Sequence, residues 1–454
     1  MALVIAGHPA DAGRTLSSRD ANTASADAAA GEQVRARRRP PGGTRILTKA
    51  RNSSAEATPG EAALDREAGP ATAASLARRL PDVGEAAPPF TAAALNGNPN
   101  YIFDSVAGRP ILLLLLGSGG WGPAADALAL LARNAHLFDD QRASFFGVTV
   151  DPNDASCGRI AQRIPGIRWF LDYDMAVSRL YNAVHGTGSD ANYLPYWLLL
   201  DSTMRVITHA PIDRGDRMFA ALEQMIAAGP EQNHAPVLMV PRVIEPELCR
   251  ELIRLYDAHG GQESGFMRTQ EGQTVGVVDH TFKRRFDYHI TDTGLRQALL
   301  DRFRRRLIPQ MVRAFHYQPT RIERWMVGCY DAEQGGFFRA HRDNTTAGTA
   351  HRVFACTINL NAEDYEGGDL AFPEYGPRTY RAPTGGAVIF SCSLLHEALP
   401  VTRGRRYALL PFFYDDQKAL LREANQVYLA GSEQTYRARP AEPADVPAEE
   451  SGQA

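Results

Sequence analysis

Few cysteines, no long apolar run and almost no charge imbalance: each shortage removes a class of function. Five cysteines (Cys157, Cys249, Cys329, Cys356, Cys392) are spread through 454 residues with no C-x-x-C pair and an odd total. A disulfide framework or clustered-thiol metal site is thereby excluded, and reduced thiols in a cytoplasm are expected. The longest apolar run, ILLLLL at residues 111–116, falls far short of the roughly 18 residues a spanning helix needs. A soluble chain without a membrane span is expected. The net charge of −3, from 49 basic and 52 acidic residues, gives no overall attraction to nucleic acid. Residues 1–7 are too short for a secretory core and run into His8, Pro9 and Asp11, so export is not indicated.

What is present is a globular composition, 44% apolar, in a chain longer than one usual domain. Residues 1–77 are rich in Ala, Arg, Ser, Gly and Pro without apolar periodicity, and read as a disordered tail. The basic patch RARRRPP at 35–41 within it reads as solvated. Two patterned blocks follow, at 78–232 and 238–416, separated by AAGPEQNHAPV (227–237). Residues 417–454 are expected to form a helix and a loose tail.

In the first block, residues 111–116 read as a strand buried on both faces, followed by a turn and a helical pattern. SFFGVTV (144–150) reads as a strand, CGRIAQRI (157–164) as a helix, and YWLLLD (196–201) with RVITHA (205–210) as a hairpin. This is an α/β, thioredoxin-like order. GEAAPPF (84–90), AGRPILLLLLGSGGWGP (107–123), FFGVTVDP (145–152) and LPYWLLLDSTMRV (194–206) resemble the peroxiredoxin family. The resemblance puts Pro195 where such folds carry a cis proline. That family's chemistry needs a cysteine thiolate after the first strand, and this chain has Gly117, Ser118, Gly119, Gly120 and Trp121 there. Cys157 lies well beyond that turn and has no nearby cysteine to resolve a sulfenate. The block is therefore expected to lack thiol peroxidase chemistry and to serve as a module on which a protein partner or substrate docks.

The second block opens with a helical pattern at 245–259 and another at 293–315, the latter interrupted by Pro309. From 322 onward short β-rich runs alternate with Gly and Pro clusters, the pattern of a small antiparallel barrel or jelly roll. HRDNTTAGTAHRVFACTINLNAEDYEGGDLAFP (341–373) lies within it. In a strand, positions i and i+2 share a face, so His341 and Asp343 can aim into a barrel mouth while Arg342 faces away. His396 adds a second imidazole. Two histidines and a carboxylate form a facial set suited to Fe(II), leaving positions open for cosubstrate and oxygen. Arg406, ten residues past His396, can grip a dicarboxylate through paired hydrogen bonds. Arg405 competes for that role, because strand neighbours face opposite ways.

H-x-D, a distal His and an Arg ten residues on resemble the prolyl-4-hydroxylase-like branch of the 2-oxoglutarate and Fe(II)-dependent dioxygenases. INLN, EGGDLAF, APTGGAVIF and LHEALPVTRGRR follow in that branch's order between residues 358 and 406. The resemblance implies a double-stranded β-helix with supporting helices, and His341, Asp343 and His396 as iron ligands. It further implies Arg406 on the 2-oxoglutarate C5 carboxylate, Tyr330 hydrogen-bonded to the same cosubstrate, O2 as co-reactant and ascorbate as reductant. The expected reaction decarboxylates 2-oxoglutarate to succinate and CO2 and hydroxylates an unactivated C–H bond of a protein side chain or a small molecule. Two other readings stay open: a thiol-dependent peroxidase, and a non-catalytic iron-binding redox or oxygen sensor. HTFKRRFDY (280–288) is basic and aromatic, and reads either as a substrate entry or as a solvated face.

Overall fold

A computed structural model describes residues 79–438 except Asn96, 187–191 and 432–435. The expected N-terminal tail, its basic patch and the residues beyond 438 lie outside the described residues.

The first sheet is built around β1 (Ile111–Gly117), all of whose residues are buried. Ile111, Leu113 and Leu115 enter one apolar cluster, and Leu112, Leu114 and Leu116 enter another on the opposite face. That is why the run is continuous rather than alternating. α1 (Gly122–Arg133) leads to β2 (Ser144–Thr149), then β3 (Ile167–Leu171), β4 (Tyr196–Leu200), β5 (Val206–Pro211) and α2 (Gly215–Ala228). The sheet order is β3-β2-β1-β4-β5, with β1, β2 and β3 parallel and β4 and β5 antiparallel.

Two expectations for this half need correction, and one strand went unread. The helix expected at 157–164 is instead a single turn at Asn153–Ser156, ended by Gly158 at φ +66°, a left-handed conformation that closes helices. The IRWFL segment, unassigned from sequence, forms the edge strand β3. The bond before Pro195 is not cis; among the described residues the cis peptide is Ile164–Pro165.

The C-terminal half contributes β6 (Leu238–Val240), α3 (Pro246–His259), β7 (Phe266–Gln270), β8 (Gln273–Val277), β9 (Lys283–Arg284) and β10 (Phe286–His289). There follow α4 (Thr293–Arg302), α5 (Ile308–Phe315), β11 (Met326–Asp331), β12 (Phe337–His341), β13 (Phe354–Asn359), β14 (Leu370–Ala371) and β15 (Thr379–Tyr380). β16 (Ala387–Ser391), β17 (His396–Ala398), β18 (Arg405–Leu409), β19 (Phe412–Tyr414) and α6 (Asp416–Ala424) complete it. A larger antiparallel sheet contains the run β6-β16-β13-β18-β11-β10, and a smaller one runs β9-β12-β17-β14-β15. This is the sheet-rich, jelly-roll pattern expected of the block.

Helices back the larger sheet. Leu252 of α3, Leu299 of α4 and Met311 of α5 pack with Val327, Ile358, Ile389 and Leu409 in one core. A π-helical turn, Phe303–Leu307, joins α4 to α5. Pro309 cannot donate to the carbonyl four residues back, and the wider turn ahead of it accommodates that loss without breaking the helix.

The first sheet's core reaches the smaller sheet. Ala340 and Leu395, each immediately before a histidine of the H-x-D…H set, join the apolar cluster that holds Ile111, Phe146 and Leu198. Arg342 Nη2 donates to the Asp104 carbonyl at 3.3 Å and pairs with Glu374 at 2.8 Å, and Ser202 Oγ donates to the Glu374 carbonyl at 3.0 Å.

Candidate metal centre

His341 closes β12 and His396 opens β17, and the two are direct cross-strand partners. The register shifts between Phe338 and His341. Such a bulge changes the parity of the strand, so that Phe338 and His341 share the inner face. Phe338 stacks on the His341 ring, with centroids 3.6 Å apart. Asp343 follows in the turn beyond the strand, its backbone N–H donating to the Cys392 carbonyl at 2.9 Å. Its carboxylate lies 3.6 Å from His341 Nε2 and 3.3 Å from His396 Nε2. One ligand atom from each of the three falls within 4.8 Å of the others.

Both imidazoles are held in one tautomer. His341 Nδ1–H donates to the Arg339 carbonyl at 2.8 Å and His396 Nδ1–H to the Leu394 carbonyl at 3.0 Å. Each Nε2 is therefore the ring nitrogen that faces Asp343. Burial, together with the neighbouring His396, pushes His341 down to about 4. Burial pushes the Asp343 carboxyl up, but His396 and His341 outweigh it and hold it well below the usual carboxylate range. A neutral His341 imidazole beside an ionised Asp343 carboxylate is a protonation state in which both can ligate a divalent cation. Phe372 and Phe390 pack beside the His396 ring and keep the site apolar.

The larger sheet resolves the arginine register. Arg406 is 2% exposed, whereas Arg405 turns outward and donates from Nε to Asp331 Oδ2 at 2.8 Å. Arg406 Nε and Nη1 are buried without a hydrogen-bond partner. Its guanidinium lies 5.2 Å from the centre of the Tyr330 ring, directly across the β11–β18 ladder, and beside Tyr365. Tyr330 belongs to the apolar cluster that contains Phe338, so the arginine and the histidines are linked through packed side chains. The Tyr330 hydroxyl accepts from Arg285 Nη1 at 3.4 Å, and Arg285 forks onto Asp287 at 2.7 and 2.9 Å.

Several residues of the site went unread in the sequence. Glu323 receives Arg352 at 2.6 Å and His351 at 2.6 Å, while Arg352 reaches the Asp343 carbonyl at 3.4 Å. Glu374 accepts from Arg342 and from the Leu395 backbone N–H at 2.9 Å, bracing both histidine strands. The charged residue between the two ligands of H-R-D was the available signal for that brace. HTFKRRFDY divides: Lys283 is buried against Phe338, Arg285 is buried on Asp287, and Arg284 faces solvent.

Residues 325–414 match the family model of the 2OG-Fe(II) oxygenase superfamily. This segment is a 2OG-Fe(II) oxygenase domain. The chain is similar to a PKHD-type hydroxylase of Synechococcus sp. (strain JA-2-3B'a(2-13)), 29% identical over 149 residues, with 32% of this chain and 62% of that protein covered. A PKHD-type hydroxylase of Pseudomonas fluorescens is 36% identical over 120 residues, with 23% of this chain and 51% of that protein covered. The chain thus spans only about half to three fifths of these relatives' lengths. Among solved structures, the peroxidoxin BcpB of Mycobacterium tuberculosis has 16% sequence identity, with 32% of this chain and 97% of that chain covered at a TM-score of 0.27. The oxygenase domain includes β11 through β19, and with them His341, Asp343, His396, Tyr330 and Arg406.

In the first half, the turn after β1 carries no thiol. Ser118 Oγ donates to Asp151 Oδ2 at 2.7 Å, and the Gly119 N–H donates to Asp154 Oδ2 at 2.8 Å. Cys157 is exposed beyond the short helix. No helix among the described residues is long and apolar enough to cross a membrane.

Proposed function

We propose that the protein is a 2-oxoglutarate- and Fe(II)-dependent dioxygenase that hydroxylates an unactivated C–H bond of a protein side chain or small molecule. The observation that carries this reading is the unpaired, buried Arg406 guanidinium in the same barrel as the His341, Asp343 and His396 donor set. Buried guanidinium N–H groups left unsatisfied are costly, and a dicarboxylate cosubstrate supplies an anion to accept from Nε and Nη1. The donor set fits Fe(II), with His341 Nε2, His396 Nε2 and an Asp343 oxygen as ligands. When bound, the iron supplies the redox chemistry that couples 2-oxoglutarate decarboxylation to oxidation of the substrate.

The chain's own residues bind and orient. The Arg339 and Leu394 carbonyls fix the two imidazole tautomers. Arg406 anchors the distal carboxylate, with the Tyr330 ring packed against its guanidinium. Phe338, Phe372 and Phe390 exclude water around the histidines. Ascorbate, implied by the resemblance to the prolyl-4-hydroxylase-like branch, would serve as an external reductant for the bound metal. The first half is read as a thioredoxin-like, peroxiredoxin-shaped unit whose role is docking.

The test is succinate and CO2 release from 2-oxoglutarate by the full chain with Fe(II), alongside His341→Ala, Asp343→Ala and His396→Ala. Turnover abolished by each substitution is expected, with bound iron lost in parallel. Full turnover in any one of the three would reject the ligand assignment, and iron binding without decarboxylation would favour a sensor. Hydrogen peroxide reduction with dithiothreitol that disappears in Cys157→Ser would favour the peroxidase reading instead.

A further inference from the structure

A cleft of about 1750 Å3 is lined both by His341 and Asp343 and by Tyr101, Arg109, Asp140 and Arg168 of the first half. Sites for compact small molecules occupy roughly 300–1,000 Å3, so this cleft suits an extended ligand. Its C-terminal rim is a continuous stretch of chain, every residue from Gly265 to Glu271. Gln273 and Val275 of β8, the cross-strand partners of Gln270 and Arg268, line it as well, so one face of the β7–β8 ribbon borders the cleft and the outer edge of β7 runs along its rim. Among the described residues β7 pairs only with β8. An unpaired edge is a template for an extended peptide.

The N-terminal end of the cleft has surplus positive charge. Arg168 donates to both Asp140 oxygens, at 2.8 and 2.7 Å. Arg109 donates from Nε to Ser144 Oγ at 2.6 Å and approaches Asp140 no closer than 3.6 Å. Two guanidiniums share one carboxylate, and all three side chains are largely shielded from solvent. The cluster has a net charge of about +1 in a region of reduced dielectric, where an added carboxylate is bound more strongly than at an open surface.

We infer that the first half builds the distal part of the substrate site, and that the substrate is an extended peptide lying along β7 with an acidic side chain at Arg109 and Arg168. The inference rests on the oxygenase reading for the chemistry at the metal end only.

The test is fluorescence anisotropy with the full chain and no added metal. The probes are two labelled pools of peptides of about ten residues, alike except that one position is fixed as Glu or as Gln. The Glu pool is expected to bind about tenfold more tightly. Arg109→Gln with Arg168→Gln should erase the difference, and the near-isosteric Asp140→Asn, which frees both guanidiniums, should widen it. Asp140→Asn keeps the test decisive if the double variant fails to fold. Equal binding of the two pools, or an unchanged preference in Asp140→Asn, would overturn the inference. Complete displacement of the Glu pool by equimolar free glutarate would reassign the cluster to small anions and overturn it too. Because this binding needs no iron, its failure is separate from a failure of 2-oxoglutarate decarboxylation, which would count against the oxygenase reading alone.

Discussion

Arg406→Met separates a functional guanidinium from a structural one. Arg406 is 2% exposed and leaves Nε and Nη1 without hydrogen bonds within the chain. Its favourable contacts there are the Tyr330 ring face and Tyr365, and a desolvated cation–π contact is worth about 2 kcal/mol. Desolvation of the unpaired charge opposes that gain by a comparable or larger amount, so replacement by an apolar side chain of similar length should leave stability within about 1 kcal/mol or raise it. With 2-oxoglutarate bound, the same substitution strands a buried carboxylate. Breaking a buried ion pair on one side costs about 3–5 kcal/mol, which corresponds to a loss of affinity between roughly a hundredfold and a few thousandfold. Arg405→Met removes an outward-facing partner from the shielded Asp331 carboxylate and should leave 2-oxoglutarate affinity unchanged. Calorimetric titration of 2-oxoglutarate with Mn(II) in place of iron, together with urea melts of the metal-free proteins, reads both quantities. An Arg406→Met protein that binds 2-oxoglutarate within about threefold of wild type, or loses more than about 3 kcal/mol of stability, would refute the reasoning.

Lys283 is buried on Ser264 Oγ and the Gly265 carbonyl, and burial pushes its ammonium down to about 6. Between that value and the usual 10.5 the unfolded chain holds one more proton than the folded one, so stability should rise with pH by up to about 1.4 kcal/mol per unit. Lys283→Met should flatten that rise in urea melts taken from pH 7 to pH 9; an identical slope in both proteins would place the ammonium in a solvated setting. At Gly147, directly beside Trp169 in the parallel ladder, an added Cβ would lie 2.2 Å from the indole ring. Gly147→Ala should therefore destabilise by about 3 kcal/mol or more through overpacking, and a melting temperature unchanged within error would mean that the indole can move aside.

The three residues that cluster as a candidate donor set, the β-rich character of the second half and the apolar strand at 111–116 were legible in the sequence. Each depends on residue type and local spacing: H-x-D with a later His, Gly and Pro clusters between short runs, and six consecutive aliphatic residues. Cys157–Ile164 was misread because its apolar spacing suits a helix, while one left-handed glycine ends the turn before it propagates. Spacing from His396 pointed to Arg406 over Arg405, but alternation says only that neighbours oppose one another, and the strand's register against β11 decides which is inside. Simple alternation also gave no notice of the bulge before His341, which brings Phe338 and His341 to one face through a shift visible only against β17. Glu323 with Arg352, Glu374 with Arg342, and the packing of Ala340 and Leu395 into the first sheet's core join residues far apart in the chain. Local pattern carries the chemistry a residue is capable of, whereas partners at large sequence separation are chosen only when the two sheets close against each other.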